Sequence, residues 1–160
     1  MKALTLWQPW ASLIAWGEKR YETRSWPTTY RGPLAIHASK NEDGWEVCAI
    51  NSFYRDALAR AGIQHFDNLP LGVLLCVVDL VGCFPTDDVR PCISQKEQQF
   101  GDYSTGRCAW KLENVRVLEQ PIPCRGFQQL WEWPRELESL AFKKNWVRAH
   151  SMTDFEQMEP

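Results

Sequence analysis

The 160-residue chain is 44% hydrophobic and 24% charged, with a net charge of −2. That is the composition of one soluble globular domain, and it excludes a disordered chain, a collagen-like repeat and a coiled coil. Charge is uneven: residues 1–40 hold six Lys or Arg against two acids and residues 41–160 hold 12 against 18, which is either chance clustering or a locally basic quarter suited to a small anion or a short stretch of nucleic acid.

Residues 3–8 (ALTLWQ) read as a short strand. Pro9 then stands at the first turn of a helix, where its missing N–H costs nothing; Trp10, Leu13 and Ile14 follow at helical spacing and Gly17 ends it. From Arg20 to Trp26 the period becomes two, so Arg20, Glu22, Arg24 and Trp26 share one face of an extended segment. Arg31-Gly32 turns into a strand over Pro33–Ala38 (PLAIHA). Residues 45–61 are predicted as one helix with Val47, Ile50, Tyr54, Leu58 and Ala61 as its apolar stripe and Gly62 as its stop. Gly72–Cys83 (GVLLCVVDLVGC) is apolar on both faces except at Asp79 and reads as a central strand. Residues 84–104 are polar and loop-like, with a helical turn near 94–99. A long strand is predicted over 107–118, and Pro121, Pro123 and Gly126 break it. Pro134 opens a last helix over 135–149, and 151–160 reads as a frayed, flexible tail. Strands with helices between them make an α+β fold, a small mixed sheet or barrel with helices at its mouth.

The N-terminus does not read as a signal peptide, because Gln8-Pro9 interrupts its apolar stretch and Glu18-Lys19-Arg20 stands where a cleavage site would be. No window approaches the ~18 apolar residues of a membrane span. Six cysteines (Cys48, Cys76, Cys83, Cys92, Cys108, Cys124) show no CxxC pair and no histidine at ligand spacing. They read as reduced structural thiols in a cytoplasmic protein, with no metal and no cofactor expected.

The informative segment is 6–40. The chain has nine tryptophans, more than one small core readily hides, and Trp7, Trp10, Trp16 and Trp26 fall here among Lys19, Arg24 and Arg31. Aromatics interleaved with Arg and Lys suit stacking on an unpaired base while its phosphates are held. Trp10 and Trp16 read rather as core residues on the buried face of the helix. Lys19, Glu22 and Arg24 can meet, either as an ion-pair network that closes the sheet or as the lining of a polar pocket. A catalytic lysine would need its pKa drawn down by burial or by neighbouring positive charge. Asp79, in its apolar run, must be paired, at a strand end or facing a cavity. His37 reads as a satisfied structural histidine, and no Ser–His–Asp arrangement or nucleophile elbow is visible.

The WQPWASLI helix opening, the G-x-K-x-x-E-x-R run (Gly17, Lys19, Glu22, Arg24), the RG-x-L-x-I-H-A strand after Arg31, GVLLCVVDLVGC and CAWKLENVRVL together resemble the ASCH domain family over roughly residues 3–133. The resemblance implies a PUA-like mixed β-barrel over 1–134; the helix over 135–150 reads as an addition to it, either packed back onto the barrel or offered as a surface to a protein partner. The resemblance also implies binding of RNA or single-stranded nucleic acid, with DNA bound by some members, often around a modified or extruded base. Carried onto this chain, Lys19, Arg24 and Arg31 hold phosphate or a base edge, Trp7, Trp10 or Trp26 supplies a stacking surface, and Glu22 orients the basic pair or accepts a base amine. Some family members deacetylate N4-acetylcytidine or cleave RNA. In an enzyme of that kind Lys19, Glu22 and Arg24 would be catalytic, with Asp79 and Glu97 both candidates for a further carboxylate. This chain departs from the amidohydrolase pattern, because Glu22 stands where that branch has a threonine nucleophile.

Overall fold

The structure, a computed structural model, describes residues 1–42 and 45–133 (46 and 47 as backbone only) and the backbone of residues 147–148. Strands β1 (Lys2–Leu6), β2 (Tyr21–Arg24), β3 (Gly32–Ala38), β4 (Val73–Pro85), β5 (Cys108–Pro123) and β6 (Leu130–Glu132) form one sheet in the order β2-β5-β4-β3-β1-β6, and β7 (Val147–Arg148) pairs with β5. β1 and β3 run parallel and the other described ladders are antiparallel. This mixed sheet curls into a half-barrel accompanied by helices, an α+β fold. The helices are α1 (Trp10–Ala15), α2 (Trp45–Ile50), α3 (Ser52–Arg60), α4 (Thr86–Val89) and α5 (Gln95–Gln99). Among the described residues no helix is long and apolar enough to cross a membrane.

Both faces of the central strands are largely buried, as their apolar sequence requires, with Val81 toward the end of β4 left exposed. On the inner face Leu4, Leu6, Leu34, Ile36, Val78, Leu80 and Trp110 pack against Ile14 and Ala15 of α1. Ala3, Ala35, Leu74, Val77, Leu118, Trp131 and Trp133 form a second cluster. Each fully buried Leu or Ile contributes about 1.5–3 kcal/mol. Asp79 lies in mid-strand rather than at a strand end: Arg116 clasps it with Nη2 2.6 Å from Oδ1 and Nη1 3.2 Å from Oδ2, and Asn114 Nδ2 donates to Oδ2 at 2.8 Å. A carboxylate among apolar neighbours is tolerated there because its charge is paired.

Helix α1 starts from a buried amide. Gln8 Oε1 accepts the Ser12 N–H at 3.1 Å, while its Nε2 donates to Ser12 Oγ and to the Pro70 carbonyl, both at 2.8 Å. Pro9 is the residue before the helix rather than its first turn, and its carbonyl accepts the Leu13 N–H. Gly17, at φ +75, lets the chain leave the helix toward β2.

Four further expectations need correction. The helix predicted over 45–61 is two, because Asn51 turns extended and its side chain accepts the Phe53 N–H, capping α3. The break takes Ile50 out of the predicted stripe and leaves it 81% exposed. The segment 84–104 is less a loop than a series of short helices, α4, a 3₁₀ turn at Arg90–Cys92 and α5. β5 runs on through Pro121 and Pro123. The β2 ladder on its other side ends at Lys111, so a missing donor there costs no bond on that side. Finally, Val147 and Arg148 are strand, not helix, and pair with Val117 and Arg116, where β5 would otherwise leave an unpaired edge. The rest of the helix predicted over 135–149, and the tail over 151–160, lie outside the described residues.

Candidate functional site

A cavity of about 360 Å³ opens where α1, α3, β2 and the segment after α5 meet. Its lining includes Trp10, Lys19, Glu22, Thr23 and Tyr54, with residues 99–102 completing it. Roughly 300–1,000 Å³ is usual for small-ligand pockets.

Two of its walls are aromatic and nearly perpendicular. Trp10 and Tyr54 meet edge to face, centroids 6.3 Å apart at 86°. Their polar ends are tied together, since Trp10 Nε1 donates to Tyr54 Oη at 3.1 Å and Tyr54 O–H donates to the Gln99 carbonyl at 2.8 Å. Burial pushes the Tyr54 phenol well above its ordinary pKa, so it stays a neutral donor. Burial also pushes the neighbouring Cys48 thiol up to about 11.

Lys19 and Glu22 supply the charge. The Lys19 side chain has no surface open to solvent. Its Nζ donates to the Phe100 carbonyl at 2.6 Å and stands 3.6 Å from Glu22 Oε2. Burial holds its pKa below the ordinary value, while Glu22 and Glu97 pull it back up. Glu22 keeps 10% of its side chain exposed, and its other oxygen lies 3.1 Å from Arg24 Nε. One carboxylate therefore sits between two cations, and of the two members that line the cavity, Lys19 and Glu22, the carboxylate is the one a ligand can reach.

Glu97 braces this arrangement from behind. Its carboxylate accepts the N–H groups of Arg20 and Tyr21 at 3.0–3.1 Å, as well as the Tyr103 O–H at 3.4 Å. It thereby pins the start of β2. Ser94 caps α5 by accepting the Glu97 N–H, the first half of a capping box whose glutamate has been diverted to β2. Glu18 ties the same elements together, pairing with Arg60 of α3 at 3.0 Å and with Lys96 of α5 at 2.9 Å. Burial pushes its carboxyl up, but hydrogen bonds and charge from those two cations outweigh it and leave the pKa lowered. At the rim the Asp102 N–H donates to Thr23 Oγ1 at 3.0 Å. A side chain in place of Gly101 would crowd Thr23 and Tyr103 at 3.0–3.1 Å.

The family model for the ASCH domain matches residues 4–122. The chain belongs to the ASCH domain family. It is 32% identical over 146 residues to the proteins named activating signal cointegrator 1 of mouse and of human, a match covering 88% of this chain. The chain spans only 23% of the length of those relatives. Among solved structures, the ASCH protein of Zymomonas mobilis superposes with a TM-score of 0.54 at 14% identity, covering 92% of this chain and 96% of the other. A variant of that protein gives 0.55 at 16%, covering 90% and 96%. These likenesses carry the fold.

Of the residues singled out in this ASCH chain from sequence, the cavity brings together Trp10, Lys19 and Glu22, with Arg24 adjoining through Glu22. Arg24 also donates from Nη2 to the Thr5 carbonyl at 3.3 Å, so it joins β2 to β1 across the open side of the half-barrel. Within the cluster, Lys19 and Glu22 line the cavity while Arg24 reaches from β2 to β1. The other three lie off the cavity. Trp7 is 46% exposed at the end of β1, Trp26 packs perpendicular on Trp110 at 4.6 Å, and Arg31 bonds the Thr28 and Tyr30 carbonyls of its own turn. Asp79 and Glu97 are both absent from the lining. Sequence reading missed Tyr54, which stood in a helical stripe as core, and residues 99–102, which sat in a polar segment. Only Gly101, a small residue between Phe100 and Asp102, hinted at a close approach there. Among the described residues no cluster of three His, Cys, Asp or Glu side chains could hold a metal ion.

Proposed function

We propose that this ASCH domain binds single-stranded nucleic acid, RNA above all, by taking one unstacked base into the cavity that Trp10 and Tyr54 help to wall. The observation that carries this reading is the combination of two aromatic walls with a carboxylate held in place by Lys19 and Arg24. A flat heterocycle gains stacking on such walls, worth about 1–3 kcal/mol per base. Glu22, an acceptor with no proton to give, suits the amine of cytosine, adenine or guanine and disfavours a bare carbonyl edge. Lys19 acts from behind: it aims Glu22 and offsets its charge rather than touching the base.

The test is fluorescence anisotropy with labelled single-stranded RNA and DNA hexamers. Glu22→Gln and Trp10→Leu should each weaken binding of amine-bearing sequences by roughly tenfold or more, as losing a charge-assisted bond or a stack implies. Unchanged affinity in both folded variants removes the reading. The affinity should fall only modestly with salt, because the cavity engages a base and not many phosphates. Incubation with N4-acetylcytidine and with labelled RNA belongs beside it. Product formation would replace binding with hydrolysis, with Lys19, whose pKa burial draws down, as the group to vary.

A further inference from the structure

The cavity accounts for a base but not for the backbone attached to it. Its cation is sealed from solvent, and its two acids, Glu22 and Asp102, would repel a phosphate. A strand with one base inserted must therefore run its phosphates over a surface outside. The open side of the half-barrel, which Arg24 spans, is such a surface. Arg24 is 27% exposed along its side chain and shares its one carboxylate with Lys19. Its Nη1 makes no hydrogen bond among the described residues, since Nη2 alone reaches the Thr5 carbonyl.

The turn after β5 meets the same residue of β1. The Phe127 N–H donates to Thr5 Oγ1 at 3.2 Å, and Trp131 Nε1 donates to that oxygen at 3.1 Å. Gly126 presses the turn onto the strand so closely that a Cβ there would lie 2.5 Å from the His37 ring and 2.7 Å from Thr5 Oγ1. The turn is thus held in place, yet Phe127 is left 50% exposed, touching Trp131 only by edge contact at 5.3 Å. The Arg125 guanidinium lies over its ring, 5.3 Å from the centroid, and has no carboxylate partner among the described residues. An aromatic ring held at Thr5, the residue whose carbonyl also receives Arg24, and topped by a guanidinium with no carboxylate partner among the described residues has the chemistry of a nucleotide seat rather than of a core that failed to close.

We propose that Phe127 and Arg125 form a second subsite, which stacks the nucleotide next to the inserted base while Arg24 and Arg125 hold the phosphate between them. The ligand is a single strand of at least two nucleotides. The inference rests on the single-strand reading above and extends it to a residue pair that the ASCH motif does not contain.

The experiment uses fluorescein-labelled single-stranded hexamers of RNA and of DNA with the full chain, read by anisotropy. Phe127→Ala should weaken hexamer binding by roughly 5- to 150-fold, the value of one lost stack. Phe127→Tyr should restore it, and Arg125→Gln should lower both the affinity and the salt dependence. These are surface changes, and urea melts check that each variant folds as the parent does. If Phe127→Ala and Arg125→Gln bind as the parent does while Glu22→Gln binds worse, the subsite is wrong and the cavity stands. If Phe127→Ala weakens binding and Glu22→Gln does not, the subsite stands and the cavity reading falls. No binding of either hexamer by the unaltered chain overturns both.

Discussion

Replacing Glu22 by Gln tests the charge arrangement on which the cavity depends. Glu22 Oε2 stands 3.6 Å from Lys19 Nζ, and the two side chains are 10% and 0% exposed. At that distance, with an effective dielectric near 20, the attraction is about 4–5 kcal/mol. Removing one partner of a buried pair costs about 3–5 kcal/mol because it strands the other charge. Lys19→Met is gentler. It leaves the Phe100 carbonyl without its donor, about 1–3 kcal/mol, but removes a buried ammonium and leaves Glu22 with Arg24 at 3.1 Å. Glu22→Gln should therefore exceed Lys19→Met by about 2 kcal/mol. pH gives a second reading. Lys19 is already held below its ordinary pKa by burial, and loss of Glu22 removes an upward pull. The folded state then binds fewer protons than the unfolded chain, so stability rises with pH toward the unfolded value near about 10.4, and the penalty of Glu22→Gln shrinks. Urea melts followed by tryptophan fluorescence at pH 7 and pH 9.5 measure both quantities. If Lys19→Met costs as much as Glu22→Gln, or if the Gln penalty is the same at both pH values, Glu22 does not hold the lysine and the argument fails.

Two further outcomes follow from the same reasoning. Glu97→Gln weakens the two charge-assisted bonds from the Arg20 and Tyr21 amides; it should cost about 2–3 kcal/mol and lower Tm by roughly 5–10 °C in a calorimetric scan, and an unchanged Tm would show that β2 needs no such anchor. His37 meets the Cys124 carbonyl through Nε2 at 3.1 Å, its Nδ1 is buried without a hydrogen-bond partner among the described residues, and burial holds its pKa down. Its contribution is complete above about pH 6.5 and declines as pH falls below that, by at most about 1.4 kcal/mol per unit. Between pH 7.5 and 5.5 the parent should lose more stability than His37→Gln does, and parallel losses in the two would refute the assignment.

Much of this domain is local chemistry written along the chain. The apolar run 72–83 reads as a central strand and is one, because burial on both faces suits such a run, although Val81 within it stays exposed. The Gly17 stop and the period-two run from Arg20 brought Lys19, Glu22 and Arg24 to one place, since neighbours two or three apart meet whatever the rest of the fold does. What lies opposite them was beyond sequence reading. Tyr54 and Phe100, far along the chain, reach the cavity through helix packing, and the Asn51 cap that reorients α3 is one side-chain bond inside an otherwise continuous apolar pattern. Exposure, too, is decided by the assembled fold. The family resemblance offered Trp7, Trp10 or Trp26 as the stacking surface, and packing left one at the strand end, one in the cavity wall and one on Trp110. The same packing buried Lys19 and left Glu22 at the surface of the cavity. Residue type and spacing say which groups can meet, but only the competition of every segment for the same interior decides which of them still faces water.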